Sequence, residues 1–359
     1  MKVFKNLKVV ELASVLAGPA VGMFFAELGA EVIKIENSTT GGDVTRSWKL
    51  PNEQTPLNTE GYADSAYFHS VNYHKKHLFY DLQNETDKAK TYEILRGCDV
   101  VIANFRKSSA IKMGMDYESL KKINPSIIYA QLYGFDEEDE TPAFDVVLQA
   151  EAGFMYMNGE KGGQPVKMPV ALIDILAAHQ LKEAILIALL EKVQTGKGAF
   201  ISTSLYESAV ASLANQATNW LIAHHVPQRM GSEHPNIAPY GDIFLTADDK
   251  EVVLACGTQR QWLGLCQALE ASYLSEDARF KSNQERVIHR QELFQMLKQE
   301  IKKYSRDTLL ALLKKYSVPV GAIRAMPEVF QNPVAQNMIL EEGENGKKVK
   351  TVAFKIIHS

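Results

Sequence analysis

Cysteine is scarce in this chain: Cys98, Cys256 and Cys266 are the only three among 359 residues. Their odd number and wide spacing exclude a disulfide framework and a paired-thiol metal site. Long apolar runs are missing too. The stretch ILIALL at 185–190 falls far short of the roughly 20 residues that a membrane-spanning helix needs. The opening MKVFKNLKVVEL reads without a continuous apolar signal segment. A reducing, cytoplasmic setting without a membrane partner is therefore the expectation. Neither sign of charge dominates, with 39 Lys and Arg against 43 Asp and Glu and a formal net charge of −4. There is no long basic block, which argues against a nucleic-acid partner and leaves room only for a local cationic pocket. Repeats and low-complexity tracts are also absent.

What is present is a chain with 46% hydrophobic residues, too apolar to be disordered and long enough for two or three packed units. KVVEL at 8–12 reads as a buried strand, PAVGMFFAEL at 19–28 as a helix with Pro19 in its first turn, and EVIKIE at 31–36 as a second strand. The alternation recurs. ETDKAKTYEIL at 85–95 suits a helix, CDVVIAN at 98–104 a strand, YESLKKI after Asp116 a helix, and SIIYAQLYG at 126–134 a strand. This pattern implies an open parallel α/β sheet, with its ligand beyond the C-terminal strand ends. Residues 37–84 read as an irregular excursion, rich in aromatics and polar groups at YFHSVNYHKKHLFYDLQ. Past residue 225 a turn-rich stretch leads to a hairpin with Asp248 and Asp249 near its tip, then to polar helices. The expected division is a large α/β domain over 1–200, a linker helix over 201–225 and a smaller α+β domain over 226–325.

Asp174 stands out as a carboxylate between VALI and a largely apolar helical run. Helix-end donors would orient its anion, which can attack an activated acyl carbon or bind a cation. Helix capping alone explains the same position. Asp145 follows the acidic turn GFDEEDETPAF, where it suits either proton transfer or a cap. Arg46, Lys75, Lys76, Arg106, Lys107 and Lys112 form a cationic set suited to several phosphates, and Asn104 and Phe105 could hold a base beside it. VLAGPAVG is not GxGxxG, so nicotinamide-dinucleotide binding is a weak reading. His69, His74 and His77 lack the spacing of a closed metal motif, and no metal is expected.

Several segments together resemble the class III CoA-transferase family, which includes formyl-CoA transferase and alpha-methylacyl-CoA racemase. They are LASVLAGPAVGMFFAELGAEVIKIE, GGDVTR, CDVVIANFR, MGMDYESLKKINPSIIYA, FDVVLQA, ALID, TGKGAFISTSLYES, GSEHPNIAPYGDIFLTADDKEVVLACG and LLKKYSVPVGAI. The resemblance spans nearly the whole chain. It implies a Rossmann-like large domain, a smaller domain, a return of residues 326–359 to the large domain, and an interlocked homodimer. Asp174 matches the catalytic aspartate, and Asp145 is a candidate assistant. Arg46, Asn104, Phe105, Lys112 and Met113 fall at positions resembling the CoA-binding set, with lysine at 112 in place of arginine. Leu16, Ala17, Lys76 and Arg106 complete the expected CoA contacts.

The implied activity is exchange of CoA between an acyl-CoA and a carboxylic acid through an aspartyl-CoA intermediate. CoA serves as a substrate moiety, with no tightly bound cofactor. Departures narrow the choice. Phe144 stands where a racemase would carry histidine, so two-base racemisation loses a partner. Leu16 replaces a glutamine of formyl-CoA transferase, GSEHPNIAPY replaces its glycine-rich cover loop, and Lys107-Ser108 replaces Pro-Gly after NFR. An acyl-CoA racemase or epimerase and an inactive CoA-binding protein are the alternatives.

Overall fold

The computed structural model describes residues 3–54, 64–342 and 346–357. The chain divides into two units, each with its own core. The first holds the chain up to Phe154, Lys167–Val226 and the residues from Gln336 onward; the second holds Met155–Val166 and Pro227–Ala335.

The first unit is built on six parallel strands: β1 (Lys8–Leu12), β2 (Glu31–Asn37), β3 (Lys75–Tyr80), β4 (Val100–Ala103), β5 (Ile128–Tyr133) and β6 (Ala199–Ser204). Their order is β3-β2-β1-β4-β5-β6. Val10 of β1 lies beside Ile33 of β2 on one side and Val101 of β4 on the other. The winding direction reverses there, which opens a crevice at the strand ends. This is a Rossmann-like α/β sheet. Apolar β-branched runs suit its centre because both faces are covered.

The helices are α1 (Ala17–Glu27), α2 (Glu85–Arg96), α3 (Lys107–Met113), α4 (Tyr117–Ile123), α5 (Asp145–Glu151), α6 (Leu172–Thr195), α7 (Leu205–Ala211) and α8 (Ala214–Ala223). Successive strand residues face opposite ways. Val9, Ile102 and Ile128 thus pack with Phe25 of α1 and with Ile173 and Leu181 of α6, whereas Val10, Val101 and Tyr129 pack with Leu95 of α2 and Leu120 of α4. Gly22 of α1 is required by a close approach, since a Cβ there would collide with the Glu11 carboxylate. The glycines of VLAGPAVG therefore serve packing at this point.

The second unit holds an antiparallel sheet of β7 (Tyr240–Leu245), β8 (Glu251–Ala255) and β9 (Val320–Ala322), with β8 in the middle. Asp249 turns between β7 and β8 with a positive φ of 54°. Three longer helices, α9 (Gln259–Ala268), α10 (Arg290–Ile301) and α11 (Arg306–Lys315), close a core around Trp262, Leu297 and Leu309. Back in the first unit, β10 (Ile339–Glu342) and β11 (Gly346–Val349) form an antiparallel pair. The Glu27 carboxylate accepts hydrogen bonds from the Thr351 amide and hydroxyl, both at 2.7 Å, and so ties the returning chain to the end of α1.

Four features differ from the sequence expectations. The excursion over 37–84 contains β3, a sheet-edge strand whose lysines and histidine disguise it, and Lys75 is buried there. Residues 201–225 are the rest of β6 followed by α7 and α8 within the first unit, not a single linker helix. Residues 155–166 and 326–335 belong to the second unit, so the return begins at Gln336. Finally, α6 starts at Leu172 with Ala171 as its N-cap, which places Asp174 inside the first turn and not at the cap.

Candidate active site

A cavity of about 610 Å³ opens where β1, β2, β3 and β4 end. Ser14 and Val15 line it from β1, Glu36 and Asn37 from β2, Asp81 and Gln83 from β3, and Asn104, Phe105 and Arg106 from β4. Ser109 and Met113 of α3 and Phe144 before α5 add further wall. This is the crevice that the strand order creates.

Its floor is held by a loop locked from two sides. The Asn104 side chain accepts the Ser14 amide at 3.2 Å and donates to the Ser14 carbonyl at 3.0 Å. Asp43 accepts the Val15 amide at 3.2 Å, which helps hold Val15 at a φ of 73°. A β-branched residue resists that conformation, so the surrounding bonds must impose it. Asp43 is itself 3.0 Å from Lys34 Nζ, which donates to Glu11 at 2.8 Å and to the Ala13 carbonyl at 2.6 Å. The second Glu11 oxygen accepts from Lys75 at 2.7 Å. Burial pulls the Lys34 pKa down, yet Glu11 and Asp43 outweigh it and keep the ammonium charged. Burial instead prevails at Lys75, whose pKa falls to about 8.

Arg46 belongs to a second buried cluster. Its Nη2 and Nε donate to the two Glu36 oxygens at 2.6 and 2.8 Å, and Nη1 donates to Asp64 at 2.6 Å. The His77 Nδ1 lies 2.8 Å from Glu36. Burial would raise the Glu36 pKa, but Arg46 and His77 hold it well below the usual carboxylate range. The Arg46 fork is thus spent on two carboxylates. It stiffens the cavity wall and does not line the cavity.

Asp174 is only 6% exposed, and its carboxylate accepts no hydrogen bond from the described residues. Burial, with the Asp145 charge added, pushes its carboxyl up to about 7. Asp145 is the first residue of α5, and both its oxygens are engaged. Oδ1 accepts the Ile173 amide at 2.7 Å, and Oδ2 accepts from Gln149 Nε2 at 2.6 Å. Tyr67 lies near these acids. Burial and the charges of Asp174, Asp145 and Asp43 push its phenol up to about 12. Its ring meets Trp48 edge-on at 5.2 Å, and Trp48 lies 6.4 Å from Phe144. An anionic carboxylate with neither donor nor cation beside it is a strong nucleophile; when protonated it is inert.

Of the residues singled out from sequence, the cavity gathers Asn104, Phe105, Arg106 and Met113. Lys76 and Lys112 are exposed elsewhere, and Leu16 and Ala17 form the start of α1 beside the lining residue Val15. Asp174 and Asp145 stand together but outside the cavity lining, with Phe144 joining the cavity to Asp145 in sequence. Asp43, Gln149 and Tyr67 were not visible as site residues from sequence. The C-terminal ends of predicted strands would have pointed to the Ser14–Val15 loop, but no local pattern marks Gln149. Among the described residues no helix is long and apolar enough to cross a membrane, and no His, Cys, Asp and Glu group is arranged to hold a metal.

Comparison with known proteins gives a consistent answer. The chain is 36% identical to the succinate–glutarate CoA-transferase of Agrobacterium fabrum, over 99% of this chain and 89% of that protein. It is 33% identical to the human succinyl-CoA:glutarate CoA-transferase, over 96% and 77% respectively. A crystal structure of a CaiB/BaiF family protein from Brucella suis superposes with a TM-score of 0.85 at 37% identity, covering 97% of this chain and 92% of that one. The pattern of CoA-transferase family III matches residues 4–357. With a doubly wound crevice, the buried Asp174 carboxylate and a family pattern that matches nearly its full length, the chain belongs to family III of the CoA-transferases.

Proposed function

We propose that this CoA-transferase moves CoA between short dicarboxylic acids, with Asp174 as the covalent nucleophile. The Asp174 anion attacks the thioester carbonyl and expels CoA thiolate, giving a mixed anhydride. The thiolate then attacks the aspartyl carbonyl of that anhydride and releases the donor carboxylate, leaving aspartyl-CoA. The acceptor carboxylate attacks the aspartyl thioester, forming a second anhydride and freeing the thiolate again. Thiolate attack on the acceptor's acyl carbon releases the new acyl-CoA and restores Asp174. Each step forms one acyl bond and breaks another, so activation is kept and no net proton is consumed.

The observation that carries this reading is the environment of Asp174: buried, without a hydrogen-bond donor, and raised to about 7. Such a group is half ionised near neutrality and little solvated, which favours attack. The nucleotide end of CoA fits the strand-end cavity, with Asn104, Phe105 and Met113 against the base and Arg106 toward phosphate. The two succinate- and glutarate-named relatives support the dicarboxylate class. Exposed apolar side chains on α6 (Ile187, Leu190, Val193) and α8 (Trp220, Leu221, Ile222) support assembly as an interlocked homodimer. The test is exchange of CoA between succinyl-CoA and a panel of acids, followed by mass spectrometry. Transfer to dicarboxylates is expected. Solvent deuterium entering the α-carbon without an acceptor would instead favour racemisation.

A further inference from the structure

The bonds around Asp145 close a ring through a residue that the chemistry above does not use. Gln149 is one helical turn after Asp145 on α5 and only 1% exposed. Its Oε1 accepts the Met168 amide at 2.7 Å, so its amide group must turn toward Asp145, where Nε2 donates to Oδ2 at 2.6 Å. A second, longer donation runs from Nε2 to the Met168 carbonyl at 3.4 Å. The other Asp145 oxygen accepts the Ile173 amide. Ile173 is five positions after Met168, and Gln149 is four positions after Asp145. The strap entering α6 and the first turn of α5 are therefore clasped together by one carboxylate and one carboxamide.

We propose that Gln149 is a positioning residue for CoA transfer: it holds the Asp145 carboxylate in its bonds to the Gln149 and Ile173 amides, so that the carboxylate does not turn to share a proton with Asp174. This inference rests on the assignment of Asp174 as the nucleophile. Two neighbouring carboxyl groups readily share one proton, and the shared form is a poor nucleophile. Glutamine suits the position because it donates and accepts at once. Leucine does neither, and an ionised glutamate cannot donate. Among the described residues Asp145 from α5 is the titratable group that acts on Asp174, while Tyr67 from the Ala66–His69 turn feels the charges of both acids, so a change at Gln149 reaches Asp174 through Asp145.

The experiment measures transfer from pH 5 to 9 in the full-length chain for Q149L, Q149E, D145N and Q149L/D145N. The expected fall in kcat for Q149L is roughly tenfold to a hundredfold, with KM for acyl-CoA within about threefold of the parent. The acidic limb of its kcat profile moves to higher pH by about half a unit or more, because a freed Asp145 oxygen accepts a hydrogen bond from neutral Asp174 and so stabilises the unreactive protonated form. Q149E shows the same upward displacement in a nearly isosteric side chain and guards against a packing defect in Q149L. In the D145N background, Q149L leaves the limb where D145N put it, which a merely structural role would not produce. Unmoved limbs in both Q149L and Q149E overturn the proposal, as does an equal displacement with and without Asp145. Full transfer by D174A would instead overturn the nucleophile assignment itself, so the two failures are distinguishable.

Discussion

Asp145 accepts the amide of Ile173 at 2.7 Å, one residue before Asp174, and so caps from another helix the turn that carries the neighbouring acid. One carboxylate is fully bonded and the other is left bare. That asymmetry separates their roles: the bonded acid is a fixed negative charge, and the bare one is free to react.

The rate of transfer is expected to depend on this pair through pH. Since Asp174 must be anionic to attack and titrates at about 7, kcat at saturating substrate should fall about tenfold per unit below that value. D145N removes the neighbouring charge and moves the limb to lower pH. A pH-rate profile from 5 to 9 on both proteins checks the direction.

The same burial costs stability. A carboxyl raised from 3.8 to about 7 on folding binds more protons in the native chain between those values, so its contribution falls as pH rises through them and its destabilisation is complete above about 7. D174N should therefore be more stable than the parent at pH 8, by about 2–4 kcal/mol. The difference should vanish below about pH 4. Denaturant unfolding at the two pH values measures it.

Arg46 is expected to act through stability. R46M leaves Glu36 and Asp64 buried without their cation and should cost about 3–5 kcal/mol. Where the variant remains folded at low temperature, its affinity for CoA should stay within about threefold of the parent. Thermal melts and CoA titration separate the two effects.

Arg106 should behave in the opposite way. It lines the strand-end cavity, so R106A is expected to weaken CoA binding about tenfold, with little change in melting temperature. The loss should shrink as salt screens the phosphate contact. Calorimetric titration at two ionic strengths tests this.

The sheet's centre was legible in the sequence because β1, α1 and β2 are rich in Val, Ile and other apolar residues, with a proline and a glycine at the helix limits. β3 was not, since Lys75, Lys76 and His77 read as a polar surface. Lys75 is acceptable inside because Glu11, the Pro19 carbonyl and Asn72 all accept from its ammonium. Arg46 reads as a cation for phosphate for a similar reason: its partners Glu36 and Asp64 lie 10 and 18 residues away, and no local pattern announces the pairing. Asp174 was visible as an acid at a helix start. Its bareness was not, because the residue that occupies the cap, Asp145, comes from 29 residues earlier and replaces the local capping that the sequence suggested.

The central claim is the covalent role of Asp174, and trapping tests it most directly. Acyl-CoA is incubated with the enzyme, the adduct is captured with hydroxylamine or borohydride, and the peptide is mapped by mass spectrometry. The modification is expected on Asp174 alone, with D174A unlabelled and its transfer reduced at least about 1,000-fold. Full transfer by D174A, or an adduct mapped to another residue, would contradict the account.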